Sequence, residues 1–382
     1  MIRNRILLVT NLFPPDIGGP ASFIPDLADR LFQQGYPVTV VCQSDTPTHP
    51  DDEIRPYRVH RIQRMKYRLN RLWVALNLLW LVPRHDVIFC NTLDESLAPV
   101  CWLLRRSYIL KIVGDRAWEA ARNRGLTNLS IDDFQSVRLD GVIARLAERR
   151  ARIARRASRV IVPSEYLRQL VIGWGIAPHQ VTTVLNGIRL DEFEDRHPQR
   201  REDGPLKIIF VGRLVNWKGV DSLIDALIGL DNVHLTIVGE GPEYASLERQ
   251  ALATGSSIVF TKKVSRDEAL RLMAKSHVLV LVSSYEGLSH TLLETCAIGL
   301  PCITSDRGGN PEVIEHDKNG LIVPYGDVAA LRAAILYLRD NETERFRLAQ
   351  DARRRSQHFD FEKTVRDTIR VLLPNAHQHH EE

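Results

Sequence analysis

The sequence predicts an α/β protein of two doubly wound parallel-sheet domains. Three observations carry this: the chain's length, the alternation of short β-branched runs with helical patterns, and the repetition of that alternation on either side of a polar break. At 382 residues the chain exceeds the usual span of one hydrophobic core. Its first half carries apolar runs at 6–9, 38–41, 87–90, 109–113 and 160–162, and its second half at 208–211, 233–238, 258–260, 278–282 and 301–304. Such runs suit strands buried on both faces of a parallel sheet. Asn186-Gly187 and the charged, proline-bearing stretch 191–205 interrupt the rhythm as a linker does. The expected organisation is therefore an N-terminal domain over 1–185, a linker over 186–205 and a C-terminal domain over 206–355. A C-terminal helix and loose tail over 356–382 are expected to cross back to the N-terminal domain. Open α/β sheets bind ligands outside the carboxyl ends of their strands, so the two domains are expected to face a central cleft lined by strand-end loops.

Composition narrows the class. With 44% hydrophobic and 26% charged residues the chain reads as a globular enzyme and not as a disordered segment. The five cysteines, Cys42, Cys90, Cys101, Cys296 and Cys302, show no paired spacing and are expected to be reduced core residues. The apolar run at 6–9 is too short for a signal peptide, which points to the cytoplasm. The net charge of +4 is uneven: residues 1–185 hold 26 Lys/Arg against 17 Asp/Glu, and the remainder 25 against 30. A basic half suits nucleic acid, anionic lipid, an acidic substrate or a plain solvated surface. Without interleaved aromatics or a recognised module, nucleic acid is not expected. Two helical segments stand out within that half. Over 138–159, Leu139, Val142, Ile143, Leu146, Ile153 and Ala157 recur near helical spacing, and seven arginines fall between Arg145 and Arg159. Over 65–82, Lys66, Arg68 and Arg71 precede an apolar stretch with Trp73 and Trp80 one heptad apart, too short to span a bilayer. Each segment either packs on the core with a basic face in solvent or docks on an anionic membrane surface.

Chemistry-bearing residues fall at strand ends. Gly18 and Gly19 follow the first strand and precede a helix whose Phe23, Leu27 and Leu31 form one face. Glycines there admit close backbone approach, and a helix start attracts phosphate or a hydroxyl. Their spacing is neither GxGxxG nor GxxxxGK[ST], which speaks against a dinucleotide fingerprint or a P-loop. Arg213 and Lys218 lie on the loop after the strand at 208–211, and two cations so placed suit a diphosphate. After the strand at 278–282, Glu286 falls on a loop and Glu294 within a helix expected to begin near Ser289. Glu286 is then free to face a bound substrate, while Glu294, in an apolar helix, needs a polar partner. The alternative is a capping Glu286 and a salt-bridged Glu294.

The ordered set Gly18-Gly19, Asn186-Gly187, Gly212-Arg213 with Lys218, Gly239-Glu240-Gly241-Pro242, Glu286 with Glu294, and Gly308-Gly309-Asn310-Pro311-Glu312 resembles the retaining glycosyltransferases of family 4. These have the GT-B fold, two Rossmann-like domains, and the resemblance covers nearly the whole chain. It implies that Arg213 and Lys218 hold the donor diphosphate, with Gly287, Leu288 and the backbone amides of Ser289, His290 and Thr291 adding to the grip. It further implies that Glu294 binds the donor ribose and Glu286 the donor sugar near its reacting face. The Gly18-Gly19 loop would close over phosphate and acceptor. Many relatives carry a histidine beside an aspartate where this chain has Gly114. Asp115 is therefore the residue expected near the acceptor hydroxyl and donor sugar, with Trp118 and Glu119 as acceptor contacts and a simple strand-end turn as the alternative. Where relatives often place glycine in the loop that meets the base, this chain has Thr261-Lys262-Lys263-Val264.

The resemblance implies transfer with retention, yet no carboxylate is placed as a covalent nucleophile in the manner of retaining glycosidases. A same-face substitution is expected instead, with Arg213, Lys218, Glu286 and Asp115 as its catalytic set. No DxD sequence or zinc-spaced cluster occurs, so no metal and no cofactor is expected beyond the donor substrate, a UDP- or GDP-sugar. The expected acceptor is a glycan or lipid-linked hydroxyl, with an anionic surface at the inner face of the cell membrane as a further partner. Two rivals share the fold: a nucleotide-sugar-binding regulatory subunit without transfer activity, and a nucleotide-sugar epimerase.

Overall fold

A computed structural model describes residues 4–16, 19–65, 68–196 and 204–374. These fall into two compact units. The first is drawn from Met1–Pro163, Arg168–Val184 and Thr364–Glu382, and the second from Ser164–Leu167 and Leu185–Lys363.

The first unit runs β1 (Ile6–Val9), α1 (Gly19–Gln33), β2 (Val38–Ser44), β3 (Arg58–Gln63), α2 (Arg68–Leu81), β4 (Val87–Cys90), α3 (Asp94–Leu103) and β5 (Ile109–Lys111). It continues with α4 (Arg116–Asn123), α5 (Ile131–Ser136), α6 (Gly141–Arg155), β6 (Arg159–Val162), α7 (Glu165–Ile172) and β7 (Val181–Thr183). The second runs β8 (Leu206–Val211), α8 (Val220–Ala226), β9 (Val233–Val238), α9 (Tyr244–Thr254), β10 (Ile258–Phe260), α10 (Arg266–Ala274) and β11 (Val278–Leu281). After it come α11 (His290–Ile298), β12 (Cys302–Ser305), α12 (Asn310–Val313), β13 (Leu321–Val323), α13 (Val328–Asp340) and α14 (Glu342–Ser356). Helix α15 (Phe361–Leu372) begins in the second unit and belongs to the first from Thr364 onward.

Both sheets are parallel throughout, in the orders β3-β2-β1-β4-β5-β6-β7 and β10-β9-β8-β11-β12-β13. The second is the doubly wound 3-2-1-4-5-6 order, and the first extends the same order by one strand. Each therefore has a switch point, between β1 and β4 and between β8 and β11, where the strand order reverses. The apolar runs explain the interior: Ile6, Leu7, Leu8 and Val9 are all fully buried, as are Val278, Leu279 and Val280. Helices cover these strands through their own apolar stripes, with Leu27 and Leu31 of α1 buried as the sequence requires. All five cysteines are free and buried, and burial pushes the thiols of Cys42, Cys101 and Cys296 up to about 12.

Part of the stretch expected as a linker is packed structure. Over 186–196, Phe193 is buried, Arg353 donates to the carbonyls of Phe193 (3.3 Å) and Glu194 (3.2 Å), and Ile188 bridges Asp360. Residues 197–203 and the tail from 375 lie outside the described residues.

One strand residue breaks the apolar pattern. Lys111, on β5, is buried with its ammonium 3.9 Å from the centre of the Phe23 ring, and no ion pair is recorded for it among the described residues. Desolvation lowers its pKa to about 8 from 10.5. Because the unfolded chain binds this proton more tightly, Lys111 costs stability below pH 8, and that cost disappears as pH rises to 10.5. Replacing Lys111 by methionine should therefore raise the melting temperature at pH 7, by the equivalent of about 3 kcal/mol at most. The gap from the parent protein should close as thermal denaturation is repeated between pH 8 and 10.5. A pH-independent gap would show that the lysine is not desolvated.

Candidate active site

In the second unit the switch point brings two strand-end loops together. One follows β8 and carries Gly212, Arg213, Trp217 and Lys218; the other follows β11 and carries Ser283, Ser284 and Glu286. They are stitched by backbone: the Ser284 amide donates to the Trp217 carbonyl at 2.8 Å. Gly219 lies so close to the Val282 carbonyl, at φ +68°, that a side chain there would collide with it. Across this seam the Lys218 ammonium donates to Glu286 Oε1 at 2.5 Å, and the Ser283 hydroxyl donates to the same oxygen at 2.8 Å. Both charged side chains are mostly buried, Lys218 17% and Glu286 13% exposed. The pair is thus held where solvent screens it little.

A third loop, after β12, fixes Glu286 from behind. The Gly309 amide donates to the Glu286 carbonyl at 2.9 Å, and a Cβ on Gly308, at φ +61°, would fall 2.5 Å from that same carbonyl oxygen. Further along the motif, Glu312 accepts from the amides of Glu165 (2.9 Å) and Tyr166 (2.8 Å), capping the start of α7. The two glycines of this motif therefore build the seat of Glu286, while its glutamate holds the start of α7.

Helix α11 starts at His290, as expected, with the Ser289 hydroxyl accepting from the Leu292 amide at 3.4 Å. Gly287 and Leu288 connect this start to Glu286, and the Leu288 carbonyl accepts from the Asn186 amide group at 3.4 Å. Glu294 sits on α11 about 7 Å further along its axis. Its carboxylate is held by Arg266 of α10 at 2.8 Å, and Arg266 also pairs with Glu192 at 2.6 Å. Burial pushes the Glu294 carboxyl above its ordinary range, and Arg266 draws it back down. The structure thus joins Lys218 with Glu286 and places Glu294 in a separate ion-pair chain. Arg213 is exposed at the rim of its loop, and no side-chain partner is recorded for it among the described residues. Sequence reasoning did not reach Arg266 or Ser283. Ser265 and Glu268 form a capping signature that marks the start of α10, with the Ser265 hydroxyl accepting from the Glu268 amide at 3.2 Å, but nothing in the spacing ties Arg266 to Glu294.

The loop after β10 explains an oddity of the sequence. Lys262 adopts φ +56°, a left-handed conformation, and its carbonyl accepts from the Gly239 amide at 2.9 Å. A lysine holds there a conformation that glycine takes without strain. Lys262→Gly is expected to leave the unit as stable or more stable, by up to about 1 kcal/mol. A clear fall in melting temperature would contradict this.

The first unit buries two of the residues expected at the site, Asp115 and Trp118. Asp115 is fully buried at the start of α4, where Oδ1 accepts from the amides of Ala117 (3.0 Å) and Trp118 (3.2 Å). Oδ2 accepts from Gln135 at 3.0 Å and from Arg150, which stacks on Trp174 at 3.9 Å. Its carboxylate is engaged as helix cap and ion-pair partner, and through these contacts Asp115 shapes its loop. Trp118, expected as an acceptor contact, is fully buried, with its indole donating to the Leu129 carbonyl at 3.0 Å. Glu119, on the same helix, remains half-buried. Gly19 opens α1 and is exposed; Gly18 lies outside the described residues.

Comparison with known proteins agrees with this architecture. Residues 17–192 match Glycosyltransferase Family 4, and residues 191–355 match Glycosyl transferases group 1. The chain is similar to a glycogen synthase of Mycobacterium tuberculosis, 28% identical with 97% of this chain and 94% of that protein covered. It is also similar to a GDP-mannose-dependent alpha-(1-6)-phosphatidylinositol monomannoside mannosyltransferase of the same organism, at 27% identity with 88% and 89% covered. Among solved structures, HepE of Anabaena in complex with UDP shares the fold with a TM-score of 0.75 at 20% identity, over 97% of this chain and 100% of that one. With adjoining matches that run through both units and two Rossmann-like sheets in the order the fold requires, this chain is a GT-B glycosyltransferase of family 4.

Proposed function

We propose that the protein is a retaining, metal-independent transferase that moves a sugar from a UDP- or GDP-sugar to a hydroxyl of a lipid-linked or envelope glycan. The reading places it in the cytoplasm, at the inner face of the cell membrane. The observation that carries the donor half is the Lys218–Glu286 pair at the β8/β11 switch point, with Arg213 on the same loop. An ammonium has three donors, and Glu286 takes one of Lys218's, leaving capacity for phosphate oxygens. Arg213 adds a fork for two further oxygens, and the first turn of α11, at Ser289, His290 and Thr291, adds the partial positive charge of a helix start. Glu294 offers the ribose its Oε2, since Arg266 engages Oε1. Glu286, fixed by Ser283 and the Gly308-Gly309 loop, lines the sugar. In the first unit Glu119 is the acceptor-side candidate, and Gly19 belongs to the donor side.

In the transfer, the bond from the anomeric carbon to the diphosphate oxygen breaks as the acceptor oxygen attacks the same face. The acceptor's proton passes to the departing diphosphate oxygen. Arg213 and Lys218 stabilise the charge that develops there, the kind of preorganised electrostatic help that dominates many enzymes. Among the described residues no group of three His, Cys, Asp or Glu side chains is gathered as metal ligands, and the two cations do the neutralising in this scheme. The test is a panel of UDP- and GDP-sugars, read by thermal shift and by slow donor hydrolysis in excess chelator. A ligand at 100 times its Kd stabilises by about 2.7 kcal/mol. Hydrolysis that releases the sugar with its anomeric configuration retained supports the reading. Binding without turnover points to a regulatory subunit, an epimerised sugar to an epimerase, and abolition by chelator removes the metal-free mechanism.

A further inference from the structure

Away from the donor site, the first unit turns an apolar and basic face outward. In α2, Val74, Leu78 and Leu81 face the interior, while Leu69, Leu72, Trp73, Leu76 and Trp80 are 62%, 59%, 42%, 50% and 48% exposed. Their spacing is that of a single helical stripe. Helix α2 packs on α3, and α3 on α6. Glu95 of α3 is clamped by Arg71 of α2 and, at 3.2 Å, by Arg149 of α6. The two segments that stand out separately in the sequence therefore belong to one surface. It is apolar along α2 and at the tip of α3, where Trp102 and Leu103 are exposed, and arginine-rich along α6, where Arg145, Arg152 and Arg155 are exposed.

At that tip lies a cavity of about 560 Å³, bounded by α3, by Tyr108 and by three arginines, Arg105, Arg106 and Arg156. No carboxylate lines it, and none of the three is recorded in an ion pair among the described residues. Arg156 stacks on Trp102 at 5.4 Å, and Arg106 is pinned by the carbonyls of His85 and, at 3.5 Å, Asp86. Fixed guanidiniums beside an exposed tryptophan suit an anion that carries an apolar tail.

We propose that this face seats the protein on an anionic bilayer, with Trp73, Trp80 and Trp102 at the lipid interface and the phosphate of one lipid headgroup in the arginine-lined cavity. An exposed apolar stripe with basic flanks is the composition of a helix that lies in the interface plane, and basic pockets beside such helices take headgroups. A second copy of the chain fits less well, because a two-fold contact would set this basic patch against itself. The inference deepens the membrane part of the proposed function but does not depend on the donor chemistry.

The test uses the full chain with vesicles of phosphatidylcholine alone or mixed with phosphatidylglycerol, read by co-sedimentation. Binding to the mixed vesicles only is expected. It should weaken roughly fivefold for Arg105→Ala or Arg156→Ala, and more than about tenfold for the Leu72→Ser, Leu76→Ser double variant. Donor hydrolysis without vesicles should be unchanged in every variant, which shows that they fold and keeps this test separate from that of the transferase reading. The proposal is overturned by equal binding to neutral vesicles or by binding that survives the double variant. It is equally overturned if inorganic phosphate stabilises the protein through Arg105 and Arg156 while vesicles do not bind, or if the leucines instead hold a dimer that the double variant dissolves.

Discussion

Lys218→Ala is expected to lower turnover by roughly 10²–10³, the loss seen when one preorganised donor to a developing oxyanion is removed. The Lys218 loop is held by backbone contacts, Trp217 to Ser284 and Gly219 against Val282, so its shape should survive the substitution. The remaining consequence is a mostly buried Glu286 carboxylate that has lost its cation, and this should cost some stability of its own. Lys218→Ala combined with Glu286→Gln separates the two effects. The pair should regain melting temperature and stay slow, because stability depends on pairing the carboxylate whereas turnover depends on neutralising the diphosphate. A folded Lys218→Ala protein with unchanged steady-state turnover would refute the catalytic assignment.

The largest stability effect is expected at Asp115. Alanine there removes the cap of α4 and leaves Arg150, only 15% exposed, without its carboxylate. Breaking a buried pair from one side costs about 3–5 kcal/mol, and loss of the cap adds about 1 kcal/mol. A fall in melting temperature of roughly 10 °C should follow. Asp115→Asn, which keeps an acceptor for the Ala117 and Trp118 amides, should lose less. If instead Asp115→Ala melts like the parent protein while transfer collapses, the aspartate acts on substrate and its structural reading is wrong.

How much of this was legible in the sequence depends on where each feature lies. The central strands were readable because burial on both faces demands unbroken apolar runs, as at Ile6–Val9 and Val278–Leu281. The three strands that no apolar run announced, β3, β7 and β13, are all edges of their sheets. Edge strands are short or polar; β3 reads Arg-Val-His-Arg-Ile-Gln, and its buried Arg61 is paired with Asp52 at 2.6 Å. The loop position of Glu286, the start of α11 at His290 and the helical setting of Glu294 followed from local signals. Partners did not. That Lys218 meets Glu286 and Arg266 meets Glu294 depends on strand order, which brings residues 68 and 28 positions apart into contact. The setting of Asp115 was hidden for a related reason. An aspartate before a helix reads equally as a cap or as an exposed reactive group, and only the approach of Arg150, 35 residues on, decides for the cap.

The most direct measurement is calorimetric: the affinity of a nucleoside diphosphate and of its parent nucleoside for the intact protein, Arg213→Ala and Lys218→Ala. If the two side chains exist to hold the diphosphate, each variant should lose roughly tenfold or more of the diphosphate's advantage while the nucleoside binds as before. An advantage that persists undiminished in both variants would contradict the account.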